Sequence, residues 1–152
     1  MDSSLRTDEA RSGAFSRSNL GFLQIMLGLQ IALGLLWGVS MLFFARQIVL
    51  SSDSDEHIEK IAMEGAAHFA LVFGAILVWR APRRDGDVLW MMIFLNALWT
   101  LTDLVYIPVL GLDALDFYVK VVVNAALAIG LAVAGRRAGI LQWPPGARSA
   151  AE

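Results

Sequence analysis

At 152 residues the chain has room for one small domain, and its composition is 57% hydrophobic against 17% charged, with a mean hydropathy of +0.61. Soluble globular chains of this size rarely carry that balance, so an integral membrane protein is expected. A formal net charge of −2 gives no general attraction to nucleic acid, and the absence of cysteine excludes disulfides, thiolate metal sites, covalent haem attachment and CxxC redox chemistry.

In chain order, residues 1–18 are polar, lack a periodic apolar face and are expected to form a tail without regular structure. Residues 20–45 run without a charge, which is too long for a signal-peptide core. No small-x-small cleavage site follows, so a retained membrane helix is expected. Gln24, Gln30 and Ser40 are its internal polar residues, and Gly34 and Gly38 form a GxxxG that marks close helix packing, inside the bundle or between subunits. An acidic Ser/Asp-rich loop follows and is expected to cap a second helix over 58–80. The turn at 81–87 contains Pro82 and Gly86, with Asp87 as the expected N-cap of a third helix over 87–107. A second turn at 108–113 puts Asp113 at the N-cap of a fourth helix over 114–135. Each segment has about the 20 residues that cross a hydrocarbon core of roughly 30 Å. The expected fold is all-α: an integral membrane four-helix up-and-down bundle over 19–137, with a second polar tail over 138–152.

Orientation follows from the basic residues. Arg6, Arg11, Arg17, Arg80, Arg83, Arg84, Arg136, Arg137 and Arg148 fall on one side, whereas the other side has Arg46 and Lys60 among Asp53, Asp55, Glu56 and Glu59. Both termini are therefore expected in the cytoplasm. So marked an asymmetry argues against a dual-topology protein of the small multidrug-exporter kind, which also relies on a first-helix glutamate that is missing here.

Function has to be sought in the polar residues of the apolar segments. Glu64 and His68 are one turn apart; Asn96, Thr100 and Asp103 share a helix face; so do Asp116, Lys120 and Asn124. Counting along each helix puts Glu64, Asp103 and Lys120 at one depth in the outer half, with His68, Asn96 and Asn124 one layer deeper. Ionisable groups facing lipid tails cost several kcal/mol, so these stripes are expected to line the bundle interior, with Lys120 paired to Asp116, Asp103 or Glu64. Glu64, His68, Asp103 and Lys120 are the candidate acid/base cluster. Asn96, Asn124, Trp37, Trp99 and Tyr118 are the candidate ligand-binding residues. The two histidines, His57 and His68, lie eleven residues apart on one helix, roughly 16 Å, which excludes a bis-histidine haem within one subunit. No metal or cofactor site is expected. The same cluster has a purely structural account, as an ion pair with Lys120 snorkelling outward and a hydrogen-bonded interior histidine.

The stretch from Met63 to Arg137 resembles the small bacterial four-helix membrane proteins of the BphX-like type, and more distantly the DoxX-like group. Shared features are an acid early in helix two, an Arg-Pro type of turn, an Asp near a Tyr at the end of helix three (Asp103, Tyr106), and a short Gly-containing turn into helix four. The resemblance implies a bacterial inner-membrane location and the four-helix fold, and supplies no catalytic residue. Three functions remain open. The first is an accessory or interaction subunit, or a binder of a small hydrophobic molecule, in a homo-oligomer or larger membrane complex. The second is a membrane-embedded enzyme acting on an isoprenoid, sterol or quinone through Asp103 or Glu64 with His68. The third is a proton-coupled carrier, ranked last because no broken helix or inverted repeat is visible.

Overall fold

A computed structural model of the chain describes residues 3–45, 55–110 and 115–141, with side chains described over 18–45, 58–105 and 118–141. Among the described residues it contains four helices, α1 (Ser3–Phe43), α2 (Asp55–Arg80), α3 (Gly86–Leu110) and α4 (Leu115–Arg137), and no strand. Each holds a stretch long and apolar enough to cross a membrane: Ser18–Phe43, Ile58–Arg80, Gly86–Val105 and Tyr118–Arg137. Large apolar side chains such as Ile25, Leu36, Phe73, Phe94 and Ile129 stand exposed on all four helices, as a surface solvated by lipid requires.

The helices form a ring in which α1 packs on α2, α2 on α3, α3 on α4, and α4 closes on α1. Glycines set the closest approach. A Cβ added at Gly65 would lie 2.8 Å from the backbone nitrogen of Leu42, and one at Gly34 would lie 2.6 Å from Val72. The GxxxG of α1 is thus an internal seam: Gly34 and Gly38 lie against His68, Phe69 and Val72 of α2, with Gly65 facing back.

Several boundaries differ from expectation. The α1 helix begins at Ser3, so the polar N-terminal segment continues the membrane helix; outside lipid, charged residues cost a helix little. Helix α3 starts at Gly86, which places Asp87 inside its first turn. Asp85 takes the position before it, its carbonyl accepting from the Leu89 amide at 3.3 Å and its carboxylate from Arg84. Helix α3 also continues through Pro108 to Leu110, although a proline at 108 cannot donate to the carbonyl four residues earlier. Asp113, and residues 46–54 of the acidic loop, lie outside the described residues.

The C-terminal boundary moves as well. Gly139, at φ +67°, ends α4 in a Schellman turn: Ile140 N–H donates to Gly135 O at 2.9 Å and Gly139 N–H to Arg136 O at 3.0 Å. That turn folds Ile140 and Leu141 back into the core, so residues 138–141 belong to the bundle and not to a polar tail.

Candidate functional site

The bundle interior divides into two halves. Toward the Arg80/Arg137 end it is filled by Leu23 and Leu27 of α1, Leu71, Ala75 and Val78 of α2, Leu89 and Met92 of α3, and Leu131 and Ala134 of α4, closed by Ile140 and Leu141. A polar layer then follows, comprising Gln30, His68, Asn96 and Asn124, each no more than 2% exposed. Beyond it, among the described residues, no large apolar side chain is buried; Glu64, Asp103 and Lys120 stand there, partly buried. The described members of the stripes predicted for α2, α3 and α4 are thus buried or partly buried, with Asp116 outside the described side chains.

Polar contacts bridge both diagonals of the ring, across which, among the described residues, no Cα lies within 8 Å of another. Asn96 Nδ2 of α3 donates to Gln30 Oε1 of α1 at 2.9 Å, and also to the Met92 carbonyl at 2.8 Å. Lys120 Nζ of α4 donates to Glu64 Oε1 of α2, with both side chains largely withdrawn from the surface. Of the three acids within expected reach of Lys120, Glu64 is its partner. Among the described residues Asp103 makes no ion pair but lies within electrostatic range of both Lys120 and Glu64, and the Asp116 side chain lies outside the described residues.

His68 sits at the centre. Trp99 stacks on its face, with ring centroids 4.7 Å apart and planes 18° from parallel, and Trp37 meets it edge-on at 5.6 Å. Its Nδ1 is 3.0 Å from the Glu64 carbonyl oxygen. A carbonyl only accepts, so Nδ1 carries the proton and Nε2 of the neutral ring presents a lone pair. That Nε2 is buried without a partner, as are Asn96 Oδ1, Asp103 Oδ2 and Asn124 Nδ2. His68 bonds the backbone of Glu64 and not its carboxylate, so no carboxylate–imidazole couple exists among the described side chains.

Of the candidate ligand-binding residues, Asn96, Asn124, Trp37 and Trp99 converge on this interior. Tyr118 does not: it is 48% exposed on the outer surface of α4. Sequence reasoning left Gln30 out of the site. Its signal was available, one of two glutamines amid the apolar residues of α1, but the face it occupies could be fixed only by the packing of α1 on its neighbours. No group of three or more His, Asp or Glu residues placed to hold a metal occurs among the described residues. No family model matches the chain, and no curated protein or solved structure is significantly similar to it.

Proposed function

We propose that this protein binds a small lipid-soluble molecule inside its bundle, with the molecule's polar head against His68, Asn96 and Asn124. The observation that carries the proposal is the set of unpartnered buried atoms, His68 Nε2, Asn96 Oδ1, Asp103 Oδ2 and Asn124 Nδ2. Each such atom left dry costs about 1–3 kcal/mol, so several facing one interior favour a polar occupant. A hydroxyl suits them, because it can donate to the His68 lone pair and accept from an amide such as Asn124 Nδ2. Isoprenoid alcohols, sterols and quinols have that chemistry. Flat rings and long apolar bodies suit the faces of Trp37 and Trp99.

Because Glu64 is committed to Lys120, acid/base catalysis on the same molecule would fall to His68 Nε2 and Asp103, which share no hydrogen bond, so it has less support than binding. The BphX-like resemblance names no ligand, so the ligand class comes from the side chains alone. The bacterial inner membrane, with both termini cytoplasmic, is the setting we propose from arginine placement and that resemblance.

The test is extraction of the protein with its surrounding lipid and mass spectrometry of what co-purifies. A hydroxyl-bearing lipid-soluble compound near one per chain is expected with the wild type. It should be lost from His68→Phe, a change that keeps the ring stack. Should the two preparations carry the same compounds in the same amounts, the interior holds water and the proposal fails.

A further inference from the structure

A second site lies on the outside of the bundle, remote from the interior cluster. On α1, Gly28, Ile31, Ala32 and Leu35 recur at helical spacing and form one wall of a groove; Ile76 and Trp79 of α2 form the other, and Arg80 closes one end. The groove measures about 500 Å³ and is open along its side. That volume falls in the range of ligand clefts, roughly 300–1,000 Å³. Gly28 shapes it: a Cβ there would lie 3.4 Å from the Trp79 ring, so the indole rests on bare backbone.

The contact with Gly28 also sets how deep Arg80 sits. The apolar span of α1 begins at Ser18. Gly28 is about 15 Å further along at 1.5 Å per residue. Arg80, adjoining Trp79, is therefore flanked by a stretch of α1 that still reads as hydrocarbon-spanning, and among the described residues it has no ion-pair partner. A guanidinium in such a position needs an anion or water. Other positive charge stands at the same end: Arg83 and Arg84 on the turn, Arg136 and Arg137 in the last turn of α4. Arg84 is neutralised by Asp85, bonded at 2.9 Å and 3.2 Å, and Asp87 is exposed in the first turn of α3.

We infer that this groove holds one acyl chain of an anionic phospholipid, with the lipid phosphate paired to Arg80. The apolar walls suit a hydrocarbon chain entering sideways from the bilayer, and the planar guanidinium suits a phosphate bidentately. The surplus of arginine at this end selects a headgroup with net negative charge over a zwitterionic one.

Native mass spectrometry of the full chain tests the inference, after equilibration with equal amounts of phosphatidylglycerol and phosphatidylcholine in mixed micelles. The wild type is expected to retain phosphatidylglycerol preferentially. Arg80→Gln should reduce that preference about fivefold, the effect of one arginine near an anionic surface. Arg137→Gln, at the same end but not lining the groove, should reduce it less than Arg80→Gln does. Ala32→Trp, at an exposed position on the groove wall, should abolish retention of the lipid by filling its place, and it carries the test alone if Arg80→Gln fails to fold. Excess inorganic phosphate should not displace the lipid, because most of the contact is hydrocarbon. The inference is overturned by equal retention of the two lipids by the wild type, by undiminished preference in Arg80→Gln or Ala32→Trp, or by displacement with inorganic phosphate. The first two results would mean that Arg80 only snorkels to water.

Discussion

Lys120 shows how a single residue ties sequence to stability in this bundle. An ammonium within an apolar helix has to be hydrated or paired, and here it reaches across the ring to Glu64. Lys120→Met should therefore strand Glu64 and lower stability by about 2 kcal/mol, less than the 3–5 kcal/mol of fully buried pairs because both side chains retain some exposure. Adding Glu64→Gln should restore at least half of the loss, since a neutral amide is far cheaper to bury than an unpaired carboxylate. Thermal unfolding in detergent measures both changes. Equal melting temperatures for wild type and Lys120→Met would show that the pair contributes nothing. That Lys120 faces inward was legible from its spacing with Asn124. Which acid it meets was not, because Glu64 and Asp103 stand at similar heights on different helices and only the rotation of each helix separates them.

At the scale of elements, the seam between α1 and α2 depends on glycines whose neighbours are backbone and cannot give way. Gly65→Ala would place its Cβ 2.8 Å from Leu42 N and 3.1 Å from Gly38 O. It should push the helices apart at a cost of about 1–3 kcal/mol. Gly21→Ala, with nothing within 4 Å, should be neutral or slightly stabilising because alanine favours the helix. A thermal-shift comparison of the two variants decides whether the seam is as tight as drawn; equal melting temperatures would mean that it is not. The GxxxG at Gly34 and Gly38 could be read from the sequence as a packing signal but not assigned a partner. Gly65 has no such motif around it, so its part in the seam came only from the contact itself. The turn at Gly139 was missed for a related reason: Ile140 and Leu141 are too few to form a periodic face, yet a Schellman turn needs only one apolar residue to return to the core.

For the whole molecule, the arginine asymmetry predicts a topology that can be measured in intact cells. A cysteine at Ser52 should react with a membrane-impermeant maleimide added outside, and one at Asp87, exposed in the first turn of α3, should react only after permeabilisation. Because the native chain has no cysteine, labelling will report the introduced site alone. The reverse pattern would place the interior cluster toward the cytoplasm and the Arg80 groove in the outer leaflet.

By itself the sequence determined that four helices are long and apolar enough to cross a membrane, and that the polar residues of three of them occupy single faces. Both follow from local physics: an apolar run must be long enough to span hydrocarbon, and helical periodicity converts spacing into direction. Tertiary structure decided the rest. Which helices are neighbours and which are diagonal determines that Gln30 meets Asn96, that Glu64 meets Lys120, and that His68 lies between two indoles while Tyr118 stays outside. Most of each helix is apolar, so a stripe of two or three polar residues gives only the face that turns inward and not the helix it meets there. That choice of partner is set by close approach at glycines and by pairing of the few polar groups, both of them properties of two chain segments at once.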